Sequence, residues 1–269
     1  MRTLLLCDGG KVVETAQFCQ TDQLGIEVQA FVRPVALEDP EQLAYHQTHV
    51  AGIAPLAMHA PFGDLCPGSF DPMVREVARV RLEQAYQIAE YLEVEHLVMH
   101  HGYVPHTSAR ANWITRSAAF WQAFCADKQS TMQFHLENLL ELEPTIIADV
   151  IAAIDLPNVT INLDIGHAHC NSTTPVLTWI EALGDRIGYV HLHDNHGETD
   201  EHLGFGQGTI PFDEVCHALN ACAPNAVWAI EAEGDGIAAS LHWLQEHGFT
   251  PRRTDAKIIQ PVADLDPAS

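Results

Sequence analysis

Strand-like and helix-like segments alternate along this chain, and no other feature limits its fold as much. Apolar runs that read as strands lie near 3–7, 25–30, 56–60, 97–101, 133–137, 159–164, 188–193 and 227–231. Helical patterns near 11–21, 41–52, 72–92, 112–127, 144–154, 175–183, 211–222 and 236–247 separate them. The longest is the clearest: Val74, Val77, Ala78, Arg81, Leu82, Ala85, Ile88, Ala89 and Leu92 recur at three-to-four spacing. Asp71 stands ready as its N-cap and Pro72 opens its first turn. Strands each followed by a helix predict an α/β fold, a single (β/α)8 TIM barrel with parallel strands and right-handed crossovers. The 269 residues suit one such domain, read here as 1–253, followed by a polar tail over 254–269.

Ionisable residues recur where these strands end. His59 follows Pro55-Leu-Ala-Met, His100 follows Leu97-Val-Met, and Glu137 follows Gln133-Phe-His-Leu. Asp164 ends Thr160-Ile-Asn-Leu, His191 ends Gly188-Tyr-Val, and Glu231 ends Val227-Trp-Ala-Ile. A charge at the end of a buried strand is costly unless a metal, a partner or solvent meets it. In a barrel all strand C-termini converge on one face, so these six residues are expected to surround one mouth. An open doubly wound sheet would gather such groups at a single switch point only.

Carboxylates with one imidazole suit manganese, magnesium or cobalt, and a richer imidazole share suits zinc or iron. Glu137, Asp164, His191 and Glu231 come from four successive strands and form a candidate four-ligand set. His59, His100, His167, Asp200 and His202 offer ligands for a second and third ion. One to three divalent ions, Zn2+ or Mn2+, are therefore expected. Some choices stay open. His193 shares a strand face with His191, His135 shares one with Glu137, and Glu233 stands two residues past Glu231.

Lys and Arg total 13 against 36 Asp and Glu, for a net charge of −23. Such a chain repels phosphate backbones and anionic lipid, so a small-molecule partner is expected, with no nucleic acid and no membrane. The seven cysteines are scattered without a C-x-x-C and read as free thiols of a reducing compartment. Leu4-Leu-Leu-Cys7 is too short for a signal peptide core, and no apolar stretch nears the roughly 20 residues of a membrane helix. A cytoplasmic location is expected. A homo-oligomer is compatible with the sequence.

Met58-His-Ala-Pro61, His100-His-Gly102, Leu136-Glu-Asn138, Asp164-Ile-Gly-His167, His191-Leu-His-Asp194, Asp200-Glu-His202 and the closing Glu231 carry a resemblance. At these motifs the chain resembles the xylose isomerase-like barrel superfamily, which includes endonuclease IV, sugar epimerases and isomerases, and inosose dehydratases. Its endonuclease IV branch implies a trinuclear ligand set of His59, His100, Glu137, Asp164, His167, His191, Asp200, His202 and Glu231. Its epimerase branch implies Glu137, Asp164, His191 and Glu231 as ligands, with His167 near the substrate. The same spacing selects His191 over His193. The resemblance thus implies a metal-dependent sugar or sugar-phosphate isomerase or epimerase, with Glu137, Glu231 and His167 catalytic. The alternative it implies is a zinc-type hydrolase of a small phosphodiester, ester or amide. Phe62-Gly63 stands where endonuclease IV places a Tyr and a Leu, which argues with the acidic charge against DNA repair. Gly204-Phe-Gly-Gln-Gly208 is expected to approach a phosphate or sugar closely.

Overall fold

The computed structural model describes residues 3–128 and 131–249, so the expected tail over 254–269 lies outside the described residues. Eight parallel strands close into a barrel in chain order. They are β1 (Leu4–Cys7), β2 (Gly25–Val28), β3 (Leu56–His59), β4 (His96–His100), β5 (Gln133–Glu137), β6 (Val159–Asp164), β7 (Ile187–Leu192) and β8 (Val227–Ile230). Closure comes from β1 pairing with β8, in the register Leu4 to Trp228, Leu5 to Ala229 and Leu6 to Ile230. The helices are α1 (Val12–Asp22), α2 (Pro40–Val50), α3 (Pro72–Tyr91), α4 (Arg110–Cys125), α5 (Thr145–Ile154), α6 (Ile165–Asn171), α7 (Val176–Leu183), α8 (Phe212–Cys222) and α9 (Gly236–Glu246). Among the described residues, no helix is long and apolar enough to cross a membrane.

The twofold period of each strand divides the core into two layers. Leu4, Leu6, Ile26, Val28, Met58, Leu97, Met99, Phe134 and Leu136 belong to the large cluster that also contains the helix side chains Trp121, Trp179 and Ile147. Leu5, Cys7, Ala57, Val98, Tyr189, Val227 and Ala229 form a separate small cluster. These alternate residues line the barrel axis, and the same parity carries Glu27, His59, His100, His135, Glu137, Asn162, Asp164 and His191 inward. Buried on both faces, the strands show the near-continuous burial of a covered parallel sheet. Trp113 and Trp121 are fully buried packing residues of α4.

Two local differences from the sequence reading have physical causes. The second strand stops at Val28 rather than running to 30, because the Gln29 N–H turns to Asp8 Oδ1 at 3.0 Å and leaves the ladder. Two short 3-10 turns follow, Ala30–Val32 and Pro34–Glu38. Helix α6 was not anticipated, since it leaves β6 without any loop. Asp164 ends the strand and also caps the helix, its carboxylate accepting the His167 N–H at 2.7 Å. The anticipated caps of α3 are present, with Asp71 accepting from the Met73 N–H at 2.8 Å and Pro72 in the first turn.

Trp121 is fully buried on α4 and stacks edge-on against Phe120 and Phe124. Trp121→Ala is expected to lower unfolding free energy by about 3–5 kcal/mol in denaturant titrations, through the cavity it leaves.

Candidate metal centre

The barrel mouth gathers all the strand-end residues read from the sequence. Glu137 lies at the middle. His59 Nε2 is 3.2 Å from its Oε2, while His100 Nε2, His167 Nδ1 and His191 Nδ1 lie 3.5, 3.3 and 3.5 Å from its Oε1. Asn162 Nδ2 donates to Oε2 at 3.0 Å. Asp164 sits beside it, with His167 Nδ1 at 3.3 Å, His191 Nδ1 at 3.7 Å and His193 Nε2 at 3.2 Å. Glu231, just past β8, brings its Oε2 to 3.1 Å from His191 Nδ1. Its backbone N–H still bonds Leu192 O at 3.0 Å, which anchors the residue to β7.

Asp200 and His202 reach the same mouth from the long β7–α8 loop. Asp200 Oδ2 lies 3.2 Å from His167 Nε2 and 2.9 Å from His202 Nε2. His202 stacks flat on His193 with ring centroids 4.1 Å apart. Both candidates of the His191/His193 pair therefore enter the centre, at different edges. His191 Nδ1 faces Glu137, Asp164 and Glu231, whereas His193 Nε2 faces Asp164 and Asp200, the latter 3.6 Å away. Gly166 makes room for the His193 ring, which a Cβ at that position would overlap. Glu233 stays outside the cluster and is exposed.

The electrostatics are those of carboxylates held among imidazoles. Burial opposes ionisation of Glu137, yet His100 and His191 outweigh it and hold its carboxyl well below the usual range. Asp164 behaves alike under burial opposed by His167 and His193. Burial works against the charge on His191, but Glu231, Glu27 and Glu137 push its pKa well up. His202 is raised to about 9 against its burial, chiefly by Asp200. Burial drives His100 the other way, down to about 3. Glu231 differs from Glu137, because burial raises its carboxyl and His191 only partly offsets the rise.

This donor set fits divalent cations. The ion pairs of Glu137, Asp164 and Glu231 among the described residues are all to histidines, so no fixed Lys or Arg neutralises them. His100 Nδ1, His193 Nδ1, Asn162 Oδ1 and Glu231 Oε2 are buried without an aligned hydrogen bond. Four overlapping trios have ligand atoms within 4.8 Å of one another: His59/His100/Glu137, Glu137/Asp164/His167, Asp164/His193/Glu231 and His193/Asp200/His202.

Glu27 was missed in the sequence, although a glutamate inside the buried run Gly25-Ile-Glu-Val was itself the signal. It is wholly buried, accepts from Tyr189 Oη at 2.7 Å, and meets His191 Nε2 at 3.0 Å. With that nitrogen engaged, the ring is oriented so that Nδ1 points to the carboxylates. Cys7, Glu27 and His191 make a further close trio. Asn138 clamps the next strand, donating to Asp164 O at 2.9 Å and accepting the Asp164 N–H at 3.0 Å. His135 lines the barrel but bonds His96 and Thr160 rather than a mouth residue.

The glycine-rich stretch needs a correction. Its amides do not wait for a phosphate: Gly206 and Gly208 donate to Asp194 Oδ2 at 3.0 and 2.8 Å, and Ile210 donates to Oδ1 at 3.1 Å. Gly204 N–H is taken by Gln207 Oε1 at 3.0 Å. Asp194 is fully buried and also accepts from Asn195, so the loop is wrapped around an internal anion.

A closed barrel with its donors at the strand C-termini defines a class, and comparison with known proteins narrows it. The chain belongs to the xylose isomerase-like TIM barrel family, whose pattern matches residues 23–247. It is 31% identical over 188 residues to a Methanocaldococcus jannaschii protein described as uncharacterized, over 65% of this chain and 64% of that one. The chain thus spans less than two thirds of that relative. It is 25% identical over 132 residues to fructoselysine 3-epimerase of Escherichia coli O157:H7, covering 44% of this chain and 47% of the relative. Among solved structures, a D-tagatose 3-epimerase-like protein superposes with a TM-score of 0.76 at 23% identity, over 92% of this chain and 97% of that one. A Thermus thermophilus protein from a crystal soaked with ZnCl2 gives 0.76 at 25% identity, over 93% and 98%.

Hydrogen bonds to a buried charge contribute roughly 1.5–3 kcal/mol each. Asp194→Asn is therefore expected to free the loop that carries Asp200 and His202. Amide exchange at Gly206 and Gly208 should quicken at least about tenfold while β-strand amides keep their protection.

Proposed function

We propose that the protein is a divalent-metal-dependent epimerase or isomerase of a small polyhydroxylated compound. The observation that carries this reading is the unequal pair of glutamates. Glu137 is wrapped by histidines and held ionised, while Glu231 has a raised carboxyl and an oxygen with no aligned partner. Glu231 also lines a cavity of about 470 Å3 beside the centre, a size suited to a small ligand. The likenesses to fructoselysine 3-epimerase and to a D-tagatose 3-epimerase-like protein support the sugar-directed choice.

Glu137, Asp164, His191 and Glu231 would hold the metal. When bound, a divalent ion supplies Lewis-acid polarisation of a carbonyl and its neighbouring hydroxyl. Glu137, held ionised on the wall from β5, is suited to take a proton from the carbon next to that carbonyl, and Glu231, whose raised carboxyl keeps a proton more readily, to supply one to the other face. His191 keeps its orientation through Glu27. His167 would hold a substrate hydroxyl through Nε2 in exchange for its contact with Asp200, while Nδ1 stays tied to Asn138 O. Phe62, itself exposed, stacks on His100 at 4.2 Å and flanks one side of the mouth.

One observation favours a second reading. Glu137 belongs to two of the trios, and Asp200 and His202 to another, as bridging carboxylates do in multinuclear zinc hydrolases. In that case the substrate is a small phosphodiester, ester or amide.

Glu137→Gln and Glu231→Gln are each expected to lower turnover at least about a hundredfold, with unchanged circular dichroism. The wild type should incorporate solvent deuterium into candidate ketoses; a hydrolase would not. Elemental analysis is expected to find at least one bound divalent ion per chain, and a metal-free, fully active protein would remove the proposal. Asp200→Ala and His202→Ala separate the readings: little change in metal content supports the epimerase, and loss of ions supports the hydrolase.

A further inference from the structure

His193 is the mouth residue whose surroundings its hydrogen bonds do not account for. It follows β7 directly, is fully buried, and leaves Nδ1 without a hydrogen bond, so its polar interactions lie at Nε2. That nitrogen faces three carboxylates: Asp164 through both oxygens at 3.2 and 3.3 Å, Asp200 at 3.6 Å and Glu231 Oε2 at 4.0 Å. A single N–H cannot serve them all. Asp200 is otherwise engaged, its Oδ2 lying 3.2 Å from His167 and 2.9 Å from His202. Glu231 Oε2 is buried without an aligned hydrogen bond and stands 3.1 Å from His191 Nδ1. Two ligand atoms on one ion, each about 2.0–2.2 Å from it, stand roughly 2.8–4.4 Å apart. The separations around His193 Nε2 all fall in that window.

The geometry points to His193 as a further protein ligand, through Nε2, of the ion that Asp164, His191 and Glu231 hold. The inference rests on the metal-dependent reading for the ion itself, and it adds a second imidazole that tilts the site toward zinc. Two imidazoles from one stretch of chain can meet one ion because they use opposite ring nitrogens. His191 turns Nδ1 to the carboxylates, its Nε2 being held by Glu27, whereas His193, two residues on, reaches Asp164 with Nε2. The surroundings fix the second ring in place. His202 lies flat against it with centroids 4.1 Å apart, and Gly166 leaves the space that a Cβ would take from its Cε1. Adding an imidazole to a carboxylate-rich set moves its preference from manganese toward zinc.

Nitrogen-15 NMR of protein labelled at histidine and loaded with one equivalent of cadmium-113 reads the ligands directly. Scalar coupling to cadmium is expected on two imidazoles, one through Nδ1 and one through Nε2. His193→Phe keeps a flat ring against His202 and should abolish the Nε2 coupling alone. Where that variant binds cadmium too weakly to observe, His193→Gln gives the same reading. A His193 that merely hydrogen-bonds Asp164 would show no coupling. Coupling confined to other rings, or unchanged in the variants, therefore overturns the inference. Zinc and manganese titrations give a second readout. The zinc-over-manganese affinity ratio should fall about tenfold in His193→Phe, and an unchanged ratio overturns the inference as well. Solvent deuterium exchange into ketoses reads the reaction separately. A cadmium-coupled His193 without exchange keeps this ligand and removes the epimerase reading; exchange with an uncoupled His193 does the reverse.

Discussion

Glu137 and Asp164 are carboxylates with almost no exposure, kept ionised in the interior of a barrel, and the whole mouth is organised by that requirement. A buried anion must be met by hydrogen bonds and opposite charge, or it takes up a proton. Here the answer is imidazole rather than guanidinium or ammonium. His59, His100, His167, His191 and His193 close around the two carboxylates from β3, β4, α6 and the end of β7. Imidazoles can release their protons to solvent when a bound cation would carry the positive charge instead, which Lys or Arg in the same places could not do.

The outer supports follow from the same need. Glu27 and Asn162 orient the His191 ring, while Asn138 fixes the end of β6 so that Asp164 can serve both the centre and the first turn of α6. On the open side, Asp194 gathers the amides of the β7–α8 loop and so delivers Asp200 and His202 to the cluster. A structural anion thus positions the residues that surround the functional ones. The asymmetry between Glu137, locked, and Glu231, partly free and facing the cavity, is where the mouth departs from a purely structural ion cluster.

Much of this was legible in the sequence. Eight apolar runs spaced by helical periods leave little choice but a closed parallel barrel, since each strand must be covered on both faces. Strand-end His59, His100, Glu137, Asp164, His191 and Glu231 then had to meet, because barrel closure puts every strand C-terminus on one face. The pattern did not reveal residues whose importance depends on a neighbour distant in sequence. Glu27 is 164 positions from His191, and only the curvature of the barrel brings β2 and β7 across from each other. The glycine-rich loop misled for a related reason: permissive backbone looks alike whether it wraps a substrate or an internal Asp194.

Architecture, the set of mouth residues and their chemical type follow from the linear pattern alone, because strand parity and strand order are written along the chain. Folding in three dimensions settled the rest. His191 and His193 share a strand face, so local pattern could not choose between them, and the fold uses both: they share Asp164, while His191 also faces Glu137 and His193 also faces Asp200. Helix α6 begins where β6 ends because Asp164 caps it, a coupling visible only once the chain turns. Glu231 comes to line a cavity with Lys11 and Phe18 only because closure of β1 onto β8 sets the two loops side by side.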